Sequence, residues 1–101
     1  MEDRKKAVII ASDLIDLAPV LMKSLWKDLD KMKLSLLEDD FTEVRECAHS
    51  SRGAALTFGY TQYAEKMILV RNATEQKDAK ELQKICAELE EMLNEVVFQT
   101  D

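Results

Sequence analysis

The sequence predicts an all-α fold: an antiparallel up-down four-helix bundle with a short N-terminal helix or arm. Its two glycines and one proline in 101 residues leave little of the turn chemistry that joins strands. Apolar residues recur at steps of three and four in four separate segments, which is the spacing of amphipathic helices. Short connections favour antiparallel packing of such helices. We therefore expect one domain over residues 1–101, with the bundle core at about residues 13–97.

The first two predicted elements are an N-terminal segment and a long helix. Residues 1–11 begin with a charged stretch and continue with an apolar patch, which we interpret as a short helix or arm packed on the end of the bundle. The long helix is predicted over residues 17–37, with Asp16 as its N-cap. This cap places Pro19 in the first turn, where backbone N–H groups have no partner within the helix. The apolar stripe of this segment consists of Leu14, Leu17, Leu21, Leu25, Leu29, Met32 and Leu36.

Three shorter helices complete the predicted bundle. The second begins at its N-cap Asp40 and continues to Phe58. The third covers about residues 61–75, and the fourth opens at Asp78, whose spacing to Glu81 matches the carboxylate version of a capping box. The residues expected to point inward are Tyr63, Met67 and Val70 on the third helix and Leu82, Ile85, Cys86, Leu89, Leu93 and Val96 on the fourth.

Composition excludes several classes of partner and location. The net charge is −6, with 20 acidic against 14 basic residues, so the chain repels nucleic acid. Its apolar runs are far shorter than the roughly 20 residues of a membrane span, and no signal peptide is recognisable, so we expect a cytoplasmic protein without a membrane partner. Cys47 and Cys86 lie far apart on apolar stripes, which predicts reduced, buried thiols.

The second helix carries the only histidine of the chain, His49, and an interior glycine, Gly53. A helix interior disfavours Gly by about 1 kcal/mol relative to Ala, so a glycine there is typical of a place where something approaches the backbone. At 100° per residue, Thr42, Arg45, Arg52, Gly53 and Leu56 fall within about 60° of His49. The far side and its flanks hold Val44, Cys47, Ser51, Ala54, Ala55 and Phe58. His49 is therefore expected to face solvent beside two cations, which suggests a phosphoryl group as its ligand.

The same helical geometry excludes several kinds of enzyme. Cys47 is adjacent to His49 in sequence but about 200° away around the helix, so the two cannot form a nucleophile–base pair. Ser50 and Ser51 also turn away from the imidazole. One histidine with distant cysteines cannot build the usual zinc site, and the chain has no GxxxxGK[ST] phosphate loop. We expect a protein without autonomous enzymatic activity and without a metal or cofactor of its own.

A family motif accounts for this set of residues. The pattern His-x-x-Lys/Arg-Gly-x-x-x-x-x-Gly is matched by His49, Arg52, Gly53 and Gly59. Further agreement lies at Asp13, Leu14, Leu17 and Pro19 before the first helix, at Asp40 and Phe41, and at Tyr60. On these residues the chain resembles the histidine-containing phosphotransfer (HPt) domain family of two-component phosphorelays, over about residues 13–97. It departs from the family at Arg52, where Lys is commoner, at inward Ser51, where Leu or Met is usual, and near Arg71, where many members are acidic.

The resemblance implies a phosphorelay intermediate. A receiver-domain aspartyl phosphate would dock over His49, the imidazole would attack phosphorus in line to give phosphohistidine, and a second receiver aspartate would take the group. The partner-facing roles implied are charge neutralisation by Arg52 with help from Arg45, room for receiver loops over Gly53, and contact through Leu56 and Thr42. Mg²⁺ would come from the receiver rather than from this chain. The partners implied are receiver domains of response regulators or hybrid histidine kinases.

Two other functions fit the same residues. A bundle of this kind can dock or sequester response regulators without accepting phosphate. It can also be a structural helical adaptor in which His49 is incidental, because a lone histidine is more often structural than reactive. We expect a monomer, and Met1 favours a free-standing protein over an excised domain.

Overall fold

The computed structural model describes residues 6–100, with only the backbone of Lys6, and this part of the chain is mostly helical. The elements are strand β1 (Lys6–Ile9), a 3₁₀ turn (Ile15–Leu17), helices α1 (Ala18–Leu37), α2 (Phe41–Thr57), α3 (Thr61–Glu75) and α4 (Ala79–Glu95), and strand β2 (Val96–Gln99). The four predicted helices are confirmed. The charged start of the predicted N-terminal segment lies outside the described residues.

The N-terminus of α1 differs from the prediction. Asp16 lies inside the 3₁₀ turn, and the N-cap of α1 is Leu17, whose side chain makes no capping hydrogen bond. The predicted Asp16 cap is therefore wrong, because the turn leads directly into α1 and gives Asp16 a helical backbone where a cap needs a non-helical one. Pro19 does lie in the first turn, as expected, where its missing N–H costs no helical hydrogen bond.

The caps of α2 and α4 agree with the sequence pattern. The Asp40 carboxylate accepts a hydrogen bond from the Glu43 backbone N–H at 3.1 Å, and the Asp78 carboxylate accepts one from the Glu81 N–H at the same distance. Each bond satisfies one of the N–H groups that a helix start leaves free. After α2, Gly59 takes a positive φ of 79°, a backbone conformation that favours glycine, and it ends the helix.

The two ends of the described chain form a small parallel sheet that the all-α prediction did not include. Strand β1 pairs with β2, with Lys6 opposite Val96 and Ile9 opposite Gln99. Of the predicted short helix or arm at the N-terminus, the helix is therefore wrong within the described residues, and Val96 belongs to a strand instead of α4. The runs that pair are rich in β-branched and aromatic residues, which fit a pleated surface better than a helix.

The core lies between the four helices. Helix α1 packs on α2 and α4, and α3 packs on the same two helices. The inward residues predicted on α3 and α4 are buried except Val96, which is half-buried, and Cys47 and Cys86 are buried free thiols as expected. In the described part of the chain, no helix is both long and apolar enough to cross a membrane.

Candidate functional site

Helix α2 presents two chemically different faces. The buried face consists of Val44, Cys47, Ala48, Ser51 and Ala55. It is rotated slightly from the prediction, since Ala48 is fully buried while Ala54 and Phe58 are only half-buried. The outer face, named here the His49 face, consists of Thr42, Arg45, His49, Arg52, Gly53 and Leu56; all are exposed except Arg52, which is half-buried. The structure thus places all six predicted site residues on the side of α2 away from the core.

The His49 ring is open to solvent and unpartnered within the described residues. It is exposed, and it makes no hydrogen bond or ion pair with any other residue of the described chain. Neither Arg45 nor Arg52 is paired with a carboxylate among residues 6–100, so their positive charges are not neutralised on this face. An uncompensated pair of guanidinium groups beside an imidazole favours binding of a multiply charged anion such as a phosphoryl group.

Gly53 is not required by the packing of the described chain. A Cβ atom built on Gly53 meets no atom within 4 Å. Its carbonyl oxygen accepts a hydrogen bond from the Thr57 hydroxyl at 2.9 Å, a bond that any residue at position 53 could accept. The close approach predicted at this glycine is therefore not made by the rest of this fold, and space stays open directly beside His49.

The exposed apolar residue of the His49 face is Leu56. Its side chain is 47% exposed at the C-terminal end of α2. Two further large apolar residues are exposed at the start of α1, Leu17 at 46% and Val20 at 63%. Apolar side chains in water near a charged site are a common property of protein docking surfaces.

A partly buried hydrogen bond lies on the side of α2 opposite the His49 face, and the sequence did not reveal it. The hydroxyl of Ser51, which is fully buried, donates to the Asp28 carboxylate of α1 at 3.0 Å. The unusual Ser at this inward position was the available signal, but its partner is on another helix. Burial and then the nearby charge of Asp28 raise the pKa of the Cys47 thiol to about 11, so this thiol is inert at neutral pH.

An ion pair connects α1 and α2 at the start of α2. Lys31 Nζ lies 2.9 Å from Glu43 Oε2, and this hydrogen bond with the carboxylate raises the pKa of Lys31. The Cys47 thiol also donates to the Glu43 carboxylate at 3.8 Å. These contacts engage Glu43 on the flank of α2, away from the His49 face. They are consistent with the rotation of α2 that its buried face sets, which leaves the His49 face in solvent.

This geometry defines a class of protein: a helical domain that presents one unpaired imidazole, flanked by cations, on the outside of a bundle. The family model of the Hpt domain matches residues 16–98. Because the match covers most of the chain, the protein belongs to the Hpt domain family, whose members take part in phosphorelays and interact with receiver domains. The resemblance drawn from the histidine motif is thereby confirmed. The chain matches no curated protein and no solved structure.

Proposed function

We propose that this protein is a phosphorelay intermediate, which accepts a phosphoryl group from a receiver-domain aspartate on His49 and passes it to another receiver aspartate. One observation carries the proposal: the His49 ring is exposed and unpartnered within the described chain, and it lies along α2 between two unpaired arginines. The domain that presents this ring is an Hpt domain. An imidazole held in this way needs a partner to bring the phosphoryl group.

The chemical step is a direct exchange between two side chains. A ring nitrogen of neutral His49 attacks phosphorus with its lone pair, and a P–N bond forms as the P–O bond of the aspartyl phosphate breaks. The electron pair of the broken bond leaves with the receiver carboxylate. The reverse sequence transfers the group to the next receiver. Because the step only exchanges the phosphoryl group, the chain needs no kinase activity of its own, and we propose that it has none.

The arginines and the glycine have separate proposed roles. Arg52 and Arg45 offset the negative charge of the phosphoryl oxygens, and the charge-assisted hydrogen bonds of a guanidinium suit this task. The open space at Gly53 admits the backbone loops of the receiver's active site. Mg²⁺, which would help to offset the charge of the phosphoryl group, is proposed to come with the receiver.

The proposed bundle has an antiparallel up-down order, and cross-helix contacts support it. Ser51 of α2 bonds to Asp28 of α1, whereas Glu43, earlier on α2, pairs with Lys31, later on α1. Between α3 and α4, Lys66 pairs with Glu88, and Tyr60, the residue before α3, bonds to Met92. In this order the start of α1 lies level with the end of α2.

We propose that the exposed apolar residues at this end of the bundle belong to one docking surface. In the proposed order, Leu17 just before α1 and Val20 in its first turn lie near the level of Leu56, which is about two turns beyond His49 on α2. We propose that this apolar patch packs on the receiver while the arginines receive the phosphoryl group. The association needs only one copy of this chain, and a monomer is proposed.

Transfer from a phosphorylated receiver tests the proposed function. The protein is incubated with Mg²⁺ and each phosphorylated receiver domain of the source organism, and the expected result is a label on this chain that is labile in acid and stable in base. Failure to acquire label from every receiver would contradict the proposal. A stable complex without transfer would show instead a module that sequesters response regulators.

A further inference from the structure

A second surface of the molecule has the character of a binding groove. It lies between α3 and α4, is bordered at one side by β1, and has a volume of about 560 Å³, within the roughly 300–1,000 Å³ of ligand pockets in proteins. Its apolar part is formed by Val8, Tyr60, Leu69 and Met92. Leu69 is 48% exposed, although an isolated apolar side chain gains nothing from facing water. No residue of α2 lines this groove, so it is separate from the His49 face.

The rim of the groove is acidic. Four glutamates and one lysine line it: Glu65, Glu88, Glu91, Glu95 and Lys66. Lys66 Nζ is 2.8 Å from Glu88 Oε1, an ion pair that lowers the pKa of Glu88. The other three carboxylates have no cationic partner among the described side chains. The rim therefore keeps three uncompensated negative charges around an apolar floor.

The floor of the groove contains the hydroxyl of a buried tyrosine. The Tyr60 hydroxyl donates to the Met92 carbonyl oxygen at 3.4 Å, which places it between α3 and α4. Burial, and then the nearby charge of Glu95, raise the pKa of Tyr60 to about 12. Tyr60 and Glu95 therefore line the same part of the groove.

The dimensions of the groove suit a short helix. The lining residues extend over about two turns of each helix, residues 62–69 of α3 and 88–95 of α4, or roughly 10 Å. A helix laid in such a groove presents apolar anchors at every third or fourth residue and can carry cations on both flanks of that stripe. We propose that this groove, named here the α3–α4 groove, binds a basic amphipathic helix of a partner protein, with Lys or Arg paired to Glu65, Glu91 and Glu95.

The inference does not rest on the proposed phosphotransfer, because no residue is shared between the two surfaces. Binding can be tested with a synthetic helical peptide of Leu and Lys that has one apolar stripe, titrated into the isotope-labelled full chain and followed by NMR. We expect amide shifts confined to α3, α4 and β1. A peptide of the same composition in scrambled order, with no apolar stripe, should bind at least about tenfold more weakly, since it lacks the buried anchors.

Two double variants of equal net charge test whether peptide binding depends on the carboxylates of the groove. Replacing Glu91 and Glu95 together by Gln should weaken peptide binding about fivefold, on the scale of two exposed ion pairs. Replacing Glu38 and Glu75 by Gln changes the net charge equally at exposed sites outside the groove. This control should change binding by less than about twofold. Equal effects of the two double variants would show nonspecific attraction to an acidic protein and overturn the proposal.

Leu69 and Ile68 provide a second matched pair. They are neighbours on α3 and are exposed to similar extents, 48% and 42%, but only Leu69 lines the groove. Leu69→Ala should weaken peptide binding about fivefold and Ile68→Ala by less than about twofold, as expected for loss of one apolar contact. Both should leave phosphotransfer through His49 unchanged, so failure of the groove is distinguishable from failure of the phosphorelay.

Two further results would overturn the inference. Amide shifts centred on α1 or α2 would place the basic peptide on another surface. Peptide binding that tightens more after replacement of Arg4, Lys5 and Lys6 by Gln than after replacement of Lys23, Lys27 and Lys80, which are exposed outside the groove, would show that the chain's own basic segment, and not a partner helix, occupies the groove.

Discussion

His49 and Ser51 are two residues apart on α2, yet the imidazole of one lies in solvent and the hydroxyl of the other is fully buried on Asp28. On the buried face of α2, the Ser51 hydroxyl is satisfied by the Asp28 carboxylate of α1, and the Lys31–Glu43 pair joins the same two helices at the flank of that face. The His49 face has cations and an imidazole without partners in the described chain. The comparison indicates that one face holds the helix in place, while the other carries the unpaired groups that we propose for binding a receiver.

The largest expected effect is loss of phosphoryl transfer without loss of stability, after a change on the His49 face alone. Replacing His49 by Gln should abolish phosphoryl label from any receiver, because it removes the proposed nucleophile. The free energy of unfolding should change by less than about 0.5 kcal/mol, since the exposed ring makes no contact that holds the fold. Parallel transfer assays and thermal denaturation measure both quantities. Label that persists in the variant would show that the nucleophile lies elsewhere.

Replacing Ser51 by Ala tests the buried face. The change leaves the Asp28 carboxylate without its Ser51 donor and should lower the free energy of unfolding by about 2 kcal/mol. Transfer through His49 should be unaffected once the protein is folded. Ser50→Ala is the matched control, because Ser50 is exposed on the same helix and its loss should cost less than about 0.5 kcal/mol. Equal denaturation midpoints for the two variants would deny a stabilising role to the Ser51–Asp28 bond.

Replacing Arg52 by Gln tests whether charge on the His49 face serves the chemistry. Loss of one charge-assisted contact should slow transfer about tenfold, about 1.4 kcal/mol in the barrier, without loss of stability. Arg71→Gln is a suitable control, since Arg71 is also half-buried but lies on α3. Single-turnover transfer rates give the comparison. A larger loss for Arg71 than for Arg52 would show that the wrong guanidinium was assigned.

The smallest effect changes stability and transfer in opposite directions. Gly53→Ala should raise the free energy of unfolding by about 0.5–1 kcal/mol, because Ala favours helix and its methyl group meets nothing within 4 Å. The same methyl group should slow transfer if receiver loops approach here. Denaturation curves and transfer rates, both measured on one preparation of the variant, test the two expectations. A stabilised variant with unchanged transfer would remove Gly53 from the proposed docking surface.

The helices and their caps were predictable because their signals are local. Asp40 and Asp78 bond to N–H groups three residues onward, and apolar steps of three and four recur within each helix. The His49 face was predictable for the same reason, since helical geometry alone assigns residues to a side. The 3₁₀ turn that contains Asp16 was not predictable, because the residue pattern there did not distinguish it from a helix cap.

Features that join distant parts of the chain were not predictable. Strand β1 exists because it meets β2 at the other end of the chain, so its short apolar run carries no helical or strand periodicity of its own. The Ser51–Asp28 bond joins two helices, and the α3–α4 groove is lined by three elements. Such features require the register between elements, which a single sequence does not supply.

The central claim is that the His49 imidazole carries the phosphoryl group, and mapping the modified residue tests it most directly. After transfer from a receiver, cleavage at arginine releases the peptide Glu46–Arg52, which contains His49 together with Ser50 and Ser51. Fragmentation mass spectrometry without acid should place the phosphoryl group on His49, and brief acid treatment should remove it. An acid-stable phosphoryl group on Ser50, or a phosphoryl group on any other peptide, would contradict the account.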